Sequence, residues 1–233
     1  MQDSKRLIVA LDYPDEAQAL AMADALDPTQ CRVKVGKELF TRCGPPLMKA
    51  LQQRGFEIFL DLKFHDIPNT VAGGARAAAD LGAWMLTLHA GNGSQALRAA
   101  RKAVDDTGSA MHLVGVTVLT SLDDEQLAEV GVMDGAKAQV ARLATLSAEC
   151  RLAGVVCSAQ ELELVRGILP ANALTVTPGI RQQGEDAGDQ TRTLTPAQAV
   201  SAGASYLVVG RPITRAMSPM QAVGNYLNEI KMG

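Results

Sequence analysis

Short apolar runs alternate with longer helical patterns along the whole chain, and this alternation constrains the fold more than any other feature. Runs rich in leucine and β-branched residues predict eight strands, at 6–12, 31–38, 57–63, 84–90, 111–120, 153–158, 173–179 and 205–211. Alanine-rich stretches with apolar residues at helical spacing predict the intervening helices, at 15–26, 45–55, 70–82, 94–106, 136–150, 159–169, 195–203 and 212–230.

Runs that are apolar on both faces are typical of parallel strands covered by helices, because each parallel connection needs a crossover. Eight strand-helix units in 233 residues predict an α/β fold, a single (β/α)8 (TIM) barrel. We expect one domain over 1–233. A doubly wound open sheet would use about five or six strands and is the second interpretation.

Composition narrows the class of protein. The chain is 47% hydrophobic with a net charge of −3, so it has no signature of disorder. It has no basic run interleaved with aromatic residues, so no nucleic-acid partner is expected. No apolar stretch approaches about 18 residues, and the chain start lacks a signal-peptide pattern. We therefore expect a cytoplasmic protein with no membrane partner.

The cysteines and histidines do not indicate a metal site. The four cysteines lack C-x-x-C spacing and lie in or beside apolar segments, which predicts core packing: Cys31, Cys43, Cys150 and Cys157. The three histidines are far apart in sequence and form no helical ligand pair: His65, His89 and His112. No bound metal is predicted.

In a barrel, functional side chains collect at the carboxyl ends of the strands. The third strand ends in the stretch DLKFHDIPNT (61–70), which places Asp61, Lys63 and Asp66 at that end. Lys34 interrupts the apolar run VKVG on the neighbouring strand, and a buried lysine is costly unless carboxylates lie nearby. Two lysines and two aspartates would form a self-neutralising network. The alternative is a solvated strand end with surface ion pairs.

The last two loops indicate a phosphate site. The segment 177–192 has three glycines and no apolar period, which predicts either a mobile lid carrying Arg181, Gln190 and Arg192 or a plain surface loop. After the eighth strand, GRPIT places Gly210 and Arg211 before a proline suited to a helix start. Loops in these positions commonly bind phosphate in barrels, so a phosphorylated substrate is predicted.

A further glycine-rich stretch, GNGSQA at 91–96, matches a relaxed dinucleotide fingerprint. The strand that follows it lacks the terminal acid that would hold a ribose. No nucleotide cofactor is therefore expected.

Six segments together resemble the orotidine 5′-phosphate decarboxylase family, and they cover nearly the whole chain: LIVALDYP, VKVGKELF, DLKFHDIPNTV, VTVLTS, VTPGIR and LVVGRPIT. The resemblance implies cofactor-independent decarboxylation of orotidine 5′-monophosphate to uridine 5′-monophosphate, the last step of de novo pyrimidine synthesis. It implies that Lys63 donates a proton to carbon 6 of the pyrimidine. The residues implied to complete the charged network are Lys34, Asp61 and Asp66.

The resemblance also implies how the substrate is held. The residues implied near the ribose are Asp12, Lys34 and Thr70, and those near the base are Thr120 and Ser121. Gln190 would bridge base and phosphate. The implied phosphate contacts are Arg211, the Gly210 backbone and Arg181. It further implies a homodimer with shared sites, in which Asp66 and Thr70 enter the site of the partner subunit.

Two alternatives remain open at the level of sequence. A sugar-phosphate decarboxylase of the same suprafamily would share the D-x-K-x-x-D pattern but use a metal ion. A non-catalytic barrel that binds a phosphometabolite would keep the phosphate loops, yet it would not need a lysine between two aspartates.

Overall fold

The computed structural model describes residues 5–185 and 194–233. Its eight strands form a closed barrel in which each strand pairs in parallel with the next and the first pairs with the last. The strands are β1 (Leu7–Ala10), β2 (Arg32–Gly36), β3 (Ile58–Phe64), β4 (Met85–His89), β5 (His112–Val116), β6 (Gly154–Val156), β7 (Leu174–Thr177) and β8 (Tyr206–Val209). The predicted TIM barrel is confirmed, and the open sheet is excluded.

Helices connect the strands along the described parts of the chain. They are α1 (Glu16–Asp24), α2 (Lys37–Gln53), α3 (Pro68–Asp80), α4 (Ser94–Asp105), α5 (Asp124–Glu129), α6 (Gly135–Glu149), α7 (Leu162–Ile168), α8 (Pro196–Ser201), α9 (Arg211–Thr214) and α10 (Pro219–Met232). None of the helices in these ranges is long and apolar enough to cross a membrane.

The core has two layers, which explains why the strands are apolar on both faces. Alternate residues such as Ile8 and Phe59 point into the barrel and pack together there. Their neighbours, such as Leu7 and Val9, pack against the surrounding helices. Every strand thus buries both of its faces.

An aromatic and charged cluster fills the amino-terminal end of the barrel. The Arg32 guanidinium lies 4.0 Å from the ring centroid of Trp84 and 5.3 Å from that of Tyr206. The Trp84 and Tyr206 rings are 5.1 Å apart in an edge-to-face arrangement. An ion pair of 3.0 Å joins Arg32 to Glu57. This end is filled by side chains, so the cavity lies at the opposite, carboxyl end.

Two element boundaries differ from the sequence prediction for identifiable reasons. Strand β5 ends at Val116 rather than at 120, because its partner strand β6 ends at Val156. Beyond Val116, β6 provides one more acceptor, the Val156 carbonyl, which accepts the Thr117 N–H at 3.2 Å. Helix α2 starts at Lys37, earlier than predicted, and is kinked at Gly44 (φ 58). Two prolines follow Gly44 and disfavour a helical conformation before them.

Two helix predictions were also wrong. Helix α5 was missed, although Asp123 and Gln126 form a reciprocal capping box at its start. The predicted helix 212–230 is broken into α9 and α10, because Ser218 adopts an extended conformation before a proline that starts α10.

Candidate active site

A cavity of about 320 Å³ opens at the carboxyl ends of the strands. Eight of the sequence-predicted site residues line it: Asp12, Lys34, Asp61, Lys63, Thr120, Arg181, Gly210 and Arg211. They come from the ends of β1, β2, β3, β7 and β8 and from the segment after β5. The barrel therefore gathers residues that are far apart in sequence.

Four charged residues on adjacent strands form one connected cluster. The Lys34 Nζ lies 3.1 Å from Asp12 Oδ1 and 3.5 Å from Asp61 Oδ2. The Lys63 Nζ lies 2.7 Å from Asp61 Oδ1. Asp61 is thus the centre of the cluster, with a lysine on each carboxylate oxygen. The second carboxylate within the chain is Asp12 rather than Asp66.

The two inner members of the cluster are stabilised in their charged forms. Burial opposes the charge on Lys34, but attraction to Asp61 and Asp12 outweighs it and raises the pKa of Lys34. Burial also opposes the charge on Asp61, but Lys34 and Lys63 outweigh it and lower the pKa of that carboxyl. Both groups therefore remain ionised around neutral pH.

Apolar side chains complete the lining of the cavity. They are inward-pointing strand residues, among them Phe59, Val116, Val156 and Val176. Cys157 also lines it, and burial raises the pKa of the thiol to about 12, so the thiol stays protonated. The cavity lining therefore combines charged groups with apolar side chains, which suits a flat, partly polar ring.

Two residues that the sequence did not indicate hold the β3 end in place. The Thr87 hydroxyl accepts the Lys63 N–H at 2.8 Å and donates to Asp61 Oδ1 at 3.0 Å. The Asn92 Nδ2 donates to the Phe64 carbonyl at 2.8 Å, and its Oδ1 accepts the Asp66 N–H at 2.9 Å. A threonine in a strand and an asparagine in a turn resemble ordinary structural residues, so no sequence signal identified them.

Three predicted residues do not line this cavity. Asp66 and Thr70 are exposed on the loop and first turn that follow β3, and Ser121 is exposed beyond Thr120. The Asp66 Oδ1 accepts the Ile67 N–H at 2.7 Å. Ile67 itself has 67% of its surface exposed, which is unusual for an isoleucine. The end of β3 and the start of α3 thus present Asp66, Ile67 and Thr70 to solvent.

The two arginines predicted for phosphate binding, Arg181 and Arg211, both line the cavity. Arg181 is buried and donates to the Ile180 carbonyl at 2.8 Å. The base of its loop is closed by a parallel bridge between Ile180 and Leu194. Arg211 begins α9 beside Gly210. Gln190 and Arg192 lie outside the described residues.

His89, the last residue of β4, lies close enough to Lys63 and Asp61 to feel their charges. Its ring centroid is 5.3 Å from that of His65. Burial lowers the pKa of His89, and the nearby charges of His65, Lys37 and Lys63 lower it further.

Within the described residues, no group of three or more His, Cys, Asp or Glu is placed to hold a metal ion.

A closed parallel barrel with a charged cavity at the carboxyl ends of its strands defines the class of TIM-barrel enzymes. Within that class, residues 5–226 match the model of the "Orotidine 5′-phosphate decarboxylase / HUMPS family", and the chain belongs to that family. The resemblance seen in the sequence motifs is thereby confirmed.

Individual relatives agree with this membership. An orotidine 5′-phosphate decarboxylase from Alcanivorax borkumensis is 54% identical over 230 residues, which are 99% of this chain and 100% of that protein. One from Chromohalobacter salexigens is 55% identical, over 96% of this chain and 95% of that protein. The crystal structure of orotidine 5′-phosphate decarboxylase from Lactobacillus acidophilus has a TM-score of 0.88 at 39% identity, covering 97% of this chain and 99% of that one.

Proposed function

We propose that this chain decarboxylates orotidine 5′-monophosphate to uridine 5′-monophosphate without a cofactor, as the final step of de novo pyrimidine synthesis. Family membership and the names of its relatives support this activity. The observation that carries it is the contact of 2.7 Å between the Lys63 ammonium and Asp61, at the wall of a cavity.

The chemistry needs a fixed positive charge and a proton. The bond between carbon 6 and the carboxylate breaks, its electron pair stays on carbon 6, and carbon dioxide leaves. The Lys63 ammonium stabilises the developing negative charge and gives one proton to carbon 6. The resulting amine regains its proton from solvent. No electrons are exchanged with another molecule, so the step needs no redox partner.

Asp61 and Lys34 prepare the site before the substrate binds. Asp61 fixes the Lys63 ammonium, and Lys34 stabilises the ionised form of Asp61. A carboxylate on carbon 6 would approach Asp61, and its repulsion disappears as carbon dioxide leaves. Lys34 and Asp12, which are 3.1 Å apart at the cavity wall, would bind ribose hydroxyls.

The substrate phosphate lies away from the reacting carbon 6, and the binding energy of its contacts helps to lower the barrier of the reaction there. Arg211 and the Gly210 backbone would bind it from the β8 end, and Arg181 from the loop after β7. Gln190 would bridge base and phosphate, while Thr120 and Ser121 would contact the base. Arginine suits this task because its planar guanidinium binds phosphate through paired hydrogen bonds.

The site would be completed by a second copy of the chain. Asp66 and Thr70 are exposed and do not line the cavity of their own chain, and the neighbouring Ile67 is an exposed apolar residue. In a two-fold homodimer, Asp66 and Thr70 would enter the partner's cavity and add a second carboxylate beside Lys63.

A reducing compartment suits the protein, because all four cysteines are free thiols. We therefore assign the reaction to the cytoplasm.

The decisive test of function is product analysis. Incubation with orotidine 5′-monophosphate in deuterium oxide should give carbon dioxide and uridine 5′-monophosphate in equal amounts, with one deuterium at carbon 6. Failure to form either product would overturn the assignment.

A further inference from the structure

We propose that Thr87 is a positioning residue for the reaction, because its single hydroxyl joins the backbone of Lys63 to the carboxylate of Asp61. The catalytic part of this inference rests on the proposed decarboxylation. Its geometric part does not, since it concerns contacts present in the chain without substrate.

The pairing of β3 with β4 explains why a side chain is needed at this place. Leu60 pairs with Leu86 and Phe64 pairs with Leu88, so Asp61, Leu62 and Lys63 together face the single residue Thr87. The backbone ladder is interrupted along this stretch. The Lys63 N–H instead donates to the Thr87 hydroxyl at 2.8 Å. The side chain thus replaces a missing backbone acceptor.

The same hydroxyl fixes the orientation of Asp61. A hydroxyl has one hydrogen, and here it points to Asp61 Oδ1 at 3.0 Å, while the oxygen accepts the Lys63 N–H. Asp61 Oδ1 is also the atom that holds the Lys63 ammonium. Thr87 therefore holds the backbone of Lys63 directly, and it holds the Lys63 ammonium indirectly by fixing Asp61.

The backbone of Lys63 needs this support. Its φ is 50, in the left-handed region that is disfavoured for residues other than glycine. Such a conformation persists only when the surroundings hold it. Thr87 is completely buried, so water cannot take over either hydrogen bond if its hydroxyl is removed.

The test compares Thr87→Val, which keeps the shape but removes the hydroxyl, with Thr87→Ser, which keeps the hydroxyl. Thr117→Val is the matched control, because Thr117 is a buried threonine whose hydroxyl donates only to the Val156 carbonyl, at 3.1 Å. We expect Thr87→Val to lower kcat by about 10- to 100-fold, with affinity for uridine 5′-monophosphate changed by less than about threefold. Thr87→Ser and Thr117→Val should retain kcat within about threefold.

Two readouts without turnover separate this inference from the proposed function. In Thr87→Val, the Lys63 amide hydrogen should exchange at least about tenfold faster than in the wild type. The Asp61 carboxyl, followed by carbon-13 NMR, should titrate at a higher pH, because it loses one hydrogen bond to its charged form.

If the wild type fails to decarboxylate the nucleotide while both readouts shift, the proposed function is wrong and Thr87 still positions Lys63 and Asp61. Unchanged exchange and titration in Thr87→Val would overturn the positioning role whatever the activity. An equal loss of kcat in Thr87→Ser would overturn it as well.

Discussion

Asn92 holds Asp66 by accepting its backbone N–H at 2.9 Å, and the same side chain donates to the Phe64 carbonyl at 2.8 Å and to the His89 carbonyl at 2.9 Å. The loop after β3 is therefore tied to the end of β4, although the Asp66 side chain is exposed. An exposed carboxylate on an anchored backbone is well suited to reach a neighbouring subunit in a defined orientation. Three variants of the chain test this arrangement.

We predict complementation between Lys63→Ala and Asp66→Ala in mixed dimers. Each parent should be weak, but a hybrid contains one site with both native residues. Random exchange at equal ratio makes half the dimers hybrid, so about a quarter of wild-type activity should return. Subunit exchange followed by a turnover assay measures this.

The control for complementation mixes Asp66→Ala with a chain that carries both substitutions. No hybrid site in that mixture has a native Asp66, so no gain is expected. If the first mixture also stays at the average of its parents, Asp66 acts within its own chain and the shared site is wrong.

We predict that Lys63→Ala abolishes turnover and leaves the fold intact. Asp61 keeps Lys34 as a partner at 3.5 Å, so no buried carboxylate is left without a cation. The kcat should fall below about a tenth of wild type, a barrier increase above about 1.4 kcal/mol. Lys102→Ala, an exposed lysine on α4, is the control and should leave kcat unchanged. Retention of more than a tenth would remove Lys63 from the central role.

We predict that Arg211→Ala acts through the phosphate. Its kcat/KM for orotidine 5′-monophosphate should fall, because a charged hydrogen-bonding partner of the phosphate is lost. The fall should correspond to an increase of about 2–4 kcal/mol in the activation free energy from free enzyme and substrate. Activity on the nucleoside orotidine should change far less. Arg215→Ala, one turn further and exposed, should leave both activities near wild type. Equal losses on both substrates would show that Arg211 is structural.

We predict that His89 makes stability depend on pH below neutrality. The pKa of His89 is lowered in the folded chain by burial and by the charges of His65, Lys37 and Lys63. The unfolded chain therefore binds a proton more readily than the folded chain. The contribution of neutral His89 to the free energy of unfolding is complete above a pH of about 6.5 and is lost as the pH falls through the folded pKa. Urea midpoints measured from pH 7 to 5 should fall less in His89→Gln than in wild type. An equal fall of the urea midpoint with pH in His89→Gln and in wild type would contradict this account.

The barrel was predictable because its repeat is long and regular. Seven of the eight strands lie within the ranges expected from apolar runs, and β3 extends one residue further, to Phe64. Their parallel pairing follows from burial on both faces. Boundaries were missed where a local rule competes with periodicity. Gly44 before two prolines splits α2, and α5 is too short to show a helical period.

The charged part of the site was predictable because charge at a buried strand end is costly and therefore conspicuous. Lys34, Asp61 and Lys63 lie together as the alternation of side chains on adjacent strands indicated. Within one chain, Asp12 joins the cluster at the Lys34 end, whereas Asp66 lies beyond the end of β3 and is exposed. Thr87 could not be recognised, because its role depends on a break in strand pairing that no sequence pattern records.

The most direct test of the account is a turnover assay with metal-stripped protein. The chain is dialysed against a chelator and incubated with orotidine 5′-monophosphate, with no metal or cofactor added, and the loss of substrate absorbance is followed. Because Lys63 supplies both the positive charge and the proton, we predict the same rate before and after chelation, and the same rate when Mg²⁺ is returned. Turnover that disappears on chelation and returns with the metal would contradict the lysine-based mechanism and show that a metal ion takes part in the decarboxylation.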